Sequence, residues 1–152
     1  MTVPQYELFS DESSTTFEFI SVGNKGEISK IVMFSEVDDN FYHLGFGDKD
    51  EETGEISDLI VSNNGDSEKV LATVATCILI FTSKFPNAYV YATGSTESRT
   101  RLYRIGITNN LDKILQDFEV FGEIIGQQGA FQEFKKGVKY SGFLVKRREE
   151  IL

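Results

Sequence analysis

Three arginines and a group of hydroxyl-bearing residues follow an apolar segment in the middle of the chain. Residues 93–104 read TGSTESRTRLYR. The arginine guanidinium forms paired hydrogen bonds with phosphate and carboxylate groups, so this pattern is typical of a site for a small anion or an acidic partner protein. The simpler alternative is a basic helix that pairs with acidic residues elsewhere in the chain. The candidate binding residues are Ser95, Ser98, Arg99, Arg101 and Arg104.

Tyr103 lies in the same stretch and is the one candidate for proton transfer. If the stretch is helical, Arg101 and Arg104 share a side, and Leu102 and Ile105 point to the core. A tyrosine beside a core leucine more often packs with its hydroxyl satisfied. Packing therefore stands as the alternative to a catalytic role for Tyr103.

A second candidate anion site precedes the longest helical pattern, where residues 64–67 read NGDS. A glycine before a helix lets backbone N–H groups approach a phosphate, and the helix dipole favours negative charge there. Asn64, Gly65 and Ser67 are the candidate residues. Asp66 would repel an anion, so a plain helix start is the alternative.

His43 and Cys77 are the only residues of their types. One histidine and one cysteine cannot supply the ligands of a zinc site, and we predict no metal. A Cys–His nucleophile pair would need a cleft and an orienting third group. We expect the thiol to be buried and inert.

The charge is distributed unevenly along the 152 residues, whose net charge is −9. Residues 1–76 carry 16 acidic and 4 basic side chains, and residues 77–152 carry 8 and 11. Aromatic residues in the acidic half, Phe17, Phe19, Tyr42 and Phe46, could stack with single-stranded nucleic acid. Acidic surroundings repel phosphates, so nucleic acid is an unlikely partner and we expect core packing.

The chain lacks the sequence features of an exported or membrane protein. Its N-terminal residues have neither a basic start nor an apolar run. The most apolar stretch, residues 70–81, is shorter than the ~20 residues that span a bilayer. We therefore predict a cytoplasmic protein with no membrane contact.

The first half predicts four antiparallel strands joined by short turns. The segments are 16–23, 27–34, 40–48 and 55–63. Apolar residues then recur at helical spacing, which predicts an amphipathic helix over 67–84. Those residues are Val70, Leu71, Val74, Cys77, Ile78 and Phe81.

The second half predicts a mixture of helices and strands. The elements are a strand over 87–93, a helix capped by Thr96 or Ser98, a helix over 111–118, and strands over 119–128 and 140–148 separated by a short helical turn. The fold class is α+β: an N-terminal four-strand meander, a long helix, a parallel crossover strand, one or two further helices and a C-terminal strand pair. We predict a loosely ordered arm over residues 1–14 and one domain over residues 15–152.

Two segments resemble the signature of an uncharacterised family of bacterial proteins of about this length, common in Bacteroidetes. They are SNNGDSEKVLATVATCILIF (62–81) and FPNAYVYATGSTESRTRLYRIGITNN (85–110). The resemblance covers nearly the whole chain and implies membership of a domain-of-unknown-function family. It implies no particular activity.

A weaker likeness is to the core of GNAT-type acetyltransferases. Ser98, Leu102 and Tyr103 are similar to the second helix of that core, and Gly65 to its pyrophosphate loop. The resemblance implies acyl-CoA phosphates bound near Gly65 and Tyr103 as general acid. The chain departs from the pattern because SNNGDSEK replaces the usual loop and residues 102–108 are one residue shorter than the usual spacing.

These observations give three hypotheses for function. The first is a non-catalytic interaction or regulatory domain that uses Arg99 to Arg104, needs no cofactor and binds an unknown protein or a small anionic ligand. The second is an acyl-CoA-type transferase with a degenerate phosphate loop. The third is a single-stranded nucleic-acid binder.

Overall fold

The computed structural model describes residues 4–57, 64–94 and 96–149. These residues form eight strands and three helices. In chain order the elements are β1 (Phe9–Ser10), β2 (Thr16–Gly23), β3 (Gly26–Asp38), β4 (Phe41–Asp48), α1 (Ser67–Lys84), β5 (Tyr89–Ala92), α2 (Glu97–Asn109), α3 (Leu111–Asp117), β6 (Phe118–Ile124), β7 (Phe131–Glu133) and β8 (Tyr140–Arg147). The predicted α+β class is confirmed: four N-terminal strands precede the helices, and further strands end the described chain.

The chain divides by contacts into two compact units. The first comprises Met1–Ser35 and Leu44–Lys84, and the second comprises Glu36–His43 and Phe85–Leu152. The predicted N-terminal arm over residues 1–14 and the predicted single domain over residues 15–152 stay predictions. Each unit has its own buried apolar residues and is described separately.

The hairpin of β2 and β3 is the centre of the first unit. The two strands pair in antiparallel fashion up to Gly23 and Gly26, which enclose a two-residue turn. Gly26 has a φ of 83°, a conformation that glycine adopts readily. Phe17 and Phe19 are buried on the inner face of β2, so their expected role in core packing is confirmed.

Helix α1 covers the predicted residues and packs with its predicted apolar side. Phe81 stacks on Phe34 of β3 with ring centroids 4.2 Å apart, and Cys77 is fully buried. The helix also buries Thr73 and Thr82, whose hydroxyls donate to backbone carbonyls one turn earlier at 2.8 and 2.7 Å. These bonds satisfy polar groups that would otherwise be buried without partners.

Strand β8 is the central strand of the second unit. The strand order there is β4-β5-β8-β6-β7, and β8 pairs in antiparallel fashion with both β5 and β6. Strand β4 contributes only its first residues, 41–43, to this unit. The buried apolar side chains are Ala88, Val90, Phe118, Val120, Phe134, Tyr140, Phe143 and Leu144.

The second unit also contains the two shorter helices. The expected break between them falls at Asn110, whose Nδ2 donates to the carbonyl of Gly106 at 2.8 Å. This side-chain bond satisfies a backbone carbonyl near the end of α2. The prediction of one or two helices after the long one is therefore confirmed.

Three differences from the predicted elements concern short strands. Strand β1 lies within the predicted arm and pairs with β2. The prediction of a helical turn before β8 is wrong. Residues 131–133 form β7 instead, and this strand pairs with β6. The turn between β6 and β7 contains Gly126 and Gly129, each with a φ of 80°. Of the predicted strand 55–63, residues 58–63 lie outside the described residues, and Ile56 forms an isolated bridge with Lys49.

Candidate functional site

The predicted anion site before α1 is folded against the β2–β3 turn of the same unit. Asn64 is 2% exposed, and its Nδ2 donates to Ser21 Oγ at 3.1 Å and to the Gly26 carbonyl at 2.8 Å. Its Oδ1 accepts from the Lys25 amide at 2.5 Å. The side chain of Asn64 is therefore committed to fixing the hairpin.

Asp66 places a carboxylate beside the predicted phosphate loop. One of its oxygens accepts hydrogen bonds from the hydroxyls of Tyr6 and Ser21, each at 2.5 Å. Gly65 has a φ of 76°, and a Cβ at this position would lie 2.7 Å from the amide nitrogen of the Asn24 side chain. Ser67 is the first residue of α1. This geometry favours the alternative of a structural helix start, and anion binding by Asn64, Gly65 and Ser67 stays a prediction.

The second predicted site lies at the start of α2. Thr96 is the N-cap residue, since its Oγ1 accepts from the Arg99 amide at 3.2 Å. Ser98 is exposed in the first turn, and Ser95 lies outside the described residues. Gly94 packs tightly against the helix, because a Cβ there would lie 2.4 Å from the Thr100 amide nitrogen.

The orientation of α2 differs from the expected one. Leu102 and Ile105 are 38% and 37% exposed, so the prediction that they point to the core is wrong. Arg101 is exposed on the same side, whereas Arg99 and Arg104 are half-buried. The spacing of apolar residues along a helix defines an apolar stripe. It does not determine whether that stripe or another side of the helix packs against the rest of the unit.

Tyr103 lies on the inner side of α2. Burial raises the pKa of Tyr103 to about 12, and the nearby Arg99 charge opposes the shift only in part. A phenol with this pKa is a weak proton donor at neutral pH. Partial burial and the raised pKa favour packing, and the catalytic role of Tyr103 stays a prediction.

The two single-copy residues differ in their surroundings. Burial raises the pKa of the Cys77 thiol to about 12, so the thiolate is scarce at neutral pH. His43, on β4, lies with its ring centroid 6.1 Å from that of Tyr91. In the part of the chain that the structure describes, no cluster of three or more His, Cys, Asp or Glu side chains could hold a metal ion.

The structure identifies a cluster around Glu123 that the sequence reasoning missed. Glu123 is 6% exposed on β6. Its Oε1 accepts from Tyr91 Oη at 2.6 Å and from Ser141 Oγ at 3.1 Å, and its Oε2 accepts from the Gly129 amide at 3.0 Å. One carboxylate thus binds three donors from two strands and a turn.

A glycine in the central strand lets Tyr91 reach Glu123. Tyr91 lies on β5 and Glu123 on β6, with β8 between them. Neighbouring strands are ~4.8 Å apart, so the two backbones are about 9.6 Å apart. Gly142 of β8 leaves room for the Tyr91 side chain, since a Cβ at position 142 would lie 2.5 Å from Tyr91 Oη.

A β-bulge places Ser141 beside the same carboxylate. Glu123 pairs with Gly142 and Ile124 pairs with Tyr140, so Ser141 is the extra residue of β8. Bulges redirect side chains and often occur next to functional sites. Here the extra residue brings a hydroxyl to Glu123 that regular pairing would direct elsewhere.

Burial and hydrogen bonding act in opposite directions on the Glu123 carboxyl. Desolvation raises its pKa, but the hydrogen bonds from Tyr91, Gly129 and Ser141 favour the charged form, and the net result is a lowered pKa. Burial is the larger cause and the hydrogen bond to the charged Glu123 is the second. Together they raise the pKa of Tyr91 to about 12. At neutral pH the pair therefore consists of a carboxylate and a protonated phenol.

This cluster forms part of a pocket of about 410 Å³. The pocket is lined by Tyr91, Glu123, Gly126, Gln127, Gln128 and Ser141. The Tyr91 ring also contacts other aromatic rings, with centroids 6.2 Å from Phe41 and 6.1 Å from Phe131. The site thus combines a buried charge, hydroxyl groups, side-chain amides and an aromatic ring.

One signal in the sequence could have identified Glu123. Residues 118–125 read FEVFGEII, in which Glu123 lies between Gly122 and two isoleucines, whereas the other charged residue, Glu119, lies near the start of the strand. A carboxylate at such a position is rarely buried without partners. Its partners Tyr91 and Ser141 come from strands that are distant in sequence, so the cluster itself could not be assembled from spacing.

The fold and the site define an α+β protein whose second unit holds a hydrogen-bonded carboxylate in an open pocket. The chain belongs to the family of unknown function DUF6934, whose model matches residues 2–148. The predicted membership of a domain-of-unknown-function family is thereby confirmed, and the bacterial origin stays a prediction. No curated protein and no solved structure matches the chain, and the likeness to acetyltransferases also stays a prediction.

None of the helices within the described residues is long and apolar enough to cross a membrane.

Proposed function

We propose that the protein is a non-catalytic binding domain and that its ligand occupies the pocket at Glu123. Acid–base catalysis at neutral pH works best with a group whose pKa lies near 7. The pKa of Glu123 is lowered and that of Tyr91 is raised to about 12, so both groups keep one protonation state at neutral pH. Fixed protonation states suit recognition better than proton transfer.

The observation that carries this proposal is the charge of Glu123. The Glu123 residue is 6% exposed, and among the described residues no cationic side chain forms an ion pair with its carboxylate. Burying a charge is costly unless hydrogen bonds and an opposite charge compensate. Hydrogen bonds are present, and a ligand in the adjoining pocket would supply the remaining compensation.

Binding at this site can be tested by NMR on the ¹⁵N-labelled protein. A library of small polar compounds that includes amines, alcohols, carboxylates and sugars is added one compound at a time. We expect at least one compound to shift the amide signals of Gly126, Gly129 and Ser141. Glu123→Gln should remove the shifts, whereas Glu119→Gln, the same change at an exposed position of the same strand, should keep them. If no compound perturbs these amides, the pocket is not a binding site.

The outer face of α2 supports a second candidate function, binding of an acidic protein segment. Arg101 lies there beside two exposed aliphatic side chains, Leu102 and Ile105. Electrostatic interactions are screened over ~8 Å at physiological salt. The attraction of an acidic partner to Arg101 at this face therefore outweighs its repulsion by the net charge of −9. Half-buried Arg99 and Arg104 would add positive charge nearby.

A synthetic peptide that alternates glutamate with leucine tests this second candidate. We expect the peptide to shift amide signals of α2 and to lose affinity for Arg101→Glu. Lys136→Glu is the matched control, since it makes the same charge change at an exposed loop position. Equal loss in both variants would indicate attraction to the whole protein instead of recognition by α2.

The acyl-CoA transferase alternative stays a prediction with its own test. A ligand that binds the folded state raises the melting temperature. Acetyl-CoA should therefore raise it if the backbone near Gly65 holds the phosphates, and an unchanged value at millimolar excess would contradict that alternative.

A further inference from the structure

We infer that the pocket at Glu123 recognises a small organic cation carrying a primary ammonium group, which binds between Glu123, Tyr91 and Ser141. This inference rests on the proposed binding function and names the chemical class of its ligand.

The hydroxyl protons of the cluster are already used within the protein. Tyr91 Oη donates to Glu123 Oε1, and the one proton of Ser141 Oγ is shared between the same carboxylate oxygen at 3.1 Å and the Glu123 carbonyl at 3.3 Å. A hydroxyl has one proton to donate and two lone pairs that accept. The oxygens of Tyr91 and Ser141 can therefore meet a ligand only as acceptors.

The carboxylate of Glu123 also retains acceptor capacity. A carboxylate can accept about four hydrogen bonds, two on each oxygen. Oε1 has two donors, Tyr91 and Ser141, whereas Oε2 has one, the Gly129 amide. A group bound here thus meets only acceptors from these three side chains, so it must be a donor in several directions.

A primary ammonium matches this arrangement better than the other common groups. It has three N–H donors, no acceptor and one positive charge. A hydroxyl or a water molecule would bring lone pairs into a cluster of acceptors and would leave the Glu123 charge uncompensated. A hard metal cation generally takes six or more oxygen ligands, whereas this cluster offers one carboxylate and two hydroxyls.

The remainder of the pocket indicates what the ligand carries beyond its nitrogen. Tyr91 lines the pocket, and an aromatic ring can attract a cation that lies over its face within ~6 Å. The side chains of Gln127 and Gln128 line the pocket and can donate as well as accept hydrogen bonds. The volume of about 410 Å³ lies in the range of small-molecule sites. A small amine with a short polar or apolar body fits these features.

The local charge of the pocket also favours a cationic ligand. Glu123 is the charged residue of the lining, and its attraction for a cation is screened by added salt. Association of an amine should therefore slow as salt is added, whereas association of a neutral compound should not.

The test compares n-butylamine with n-butanol, two molecules of similar size that differ in charge and in donor number. Binding is measured by calorimetry and by the shifts of the Gly129 and Ser141 amides. We expect butylamine to bind about tenfold more tightly or better, because a hydrogen bond to a charged group contributes more than a neutral one. Glu123→Gln should abolish this preference, and Glu119→Gln should retain it.

A second variant covers the case in which Glu123→Gln does not fold. Ser141→Ala keeps the carboxylate and removes one acceptor, so we expect the affinity for butylamine to fall several-fold while the affinity for butanol changes little. If butanol binds as tightly as butylamine, or if other library compounds bind and amines do not, the inference about the ligand class is wrong. If no compound binds in the pocket, the proposed function itself fails.

Discussion

Removal of a single hydroxyl group tests how the Glu123 cluster is held together. Tyr91→Phe deletes the donor that lies 2.6 Å from Glu123 Oε1 and retains the ring that packs near Phe41 and Phe131. The charged carboxylate then keeps two of its three donors, from Ser141 and Gly129. We expect this variant to fold and to be less stable than the wild type.

The size of the effect follows from the type of hydrogen bond. A hydrogen bond to a charged group contributes about 1.5–3 kcal/mol, and the short distance to Glu123 Oε1 is typical of a strong one. We therefore expect a loss of about 2 kcal/mol in the free energy of unfolding at neutral pH. With a urea dependence of ~2 kcal/mol per M, the midpoint should fall by about 1 M.

The same change should alter the pH dependence of stability. The pKa of Glu123 is lower in the folded state than its ordinary value of 4.5. The contribution of Glu123 to the free energy of unfolding is therefore fully present at pH values above 4.5 and is lost as the pH falls toward the folded-state pKa. Loss of the Tyr91 donor raises that folded-state pKa. We therefore expect Tyr91→Phe to be less sensitive to acid than the wild type below about pH 4.5.

Urea denaturation at several pH values, with an NMR titration of the Glu123 carboxyl, measures both effects. Tyr89→Phe is the matched control, since Tyr89 lies two residues away on β5 and is 41% exposed. Its stability should stay within ~0.5 kcal/mol of the wild type. Equal stability of Tyr91→Phe and Tyr89→Phe, or an unchanged Glu123 pKa, would refute the reasoning.

Two further predictions concern buried polar groups of the first unit. Asn64→Ala should destabilise the protein by about 2–4 kcal/mol in urea denaturation, because the Lys25 amide and the Gly26 carbonyl lose their partners; a loss below ~1 kcal/mol would mean that water replaces the side chain. Lys30→Met should cost about 3–5 kcal/mol, since it leaves the buried Asp48 carboxylate without its ion-pair partner. Combination of Lys30→Met with Asp48→Asn should restore part of that stability, and additive losses would contradict the account.

The regular elements could be predicted because their signals are local. The alternation in β2 and the helical spacing from Val70 to Phe81 each reflect one element that packs against its own unit. The predicted start of a separate helix at residue 111 likewise matches the break between α2 and α3. Such patterns need no knowledge of which strands are neighbours.

The site could not be predicted because it depends on strand order and on one irregularity. Tyr91 meets Glu123 only because β8 lies between their strands and Gly142 leaves room. Ser141 joins them through a bulge that no feature of the sequence marks. The exposure of Leu102 on α2 has a similar cause, since a helix can bury either of two faces when both carry large side chains.

A crystal structure of the protein with n-butylamine tests the central claim most directly. We predict that the amine nitrogen lies about 2.7–3.1 Å from Glu123 Oε2 and within hydrogen-bond reach of the Tyr91 or Ser141 oxygen. An amine bound elsewhere on the protein, or a pocket that holds only water at saturating amine, would contradict the account.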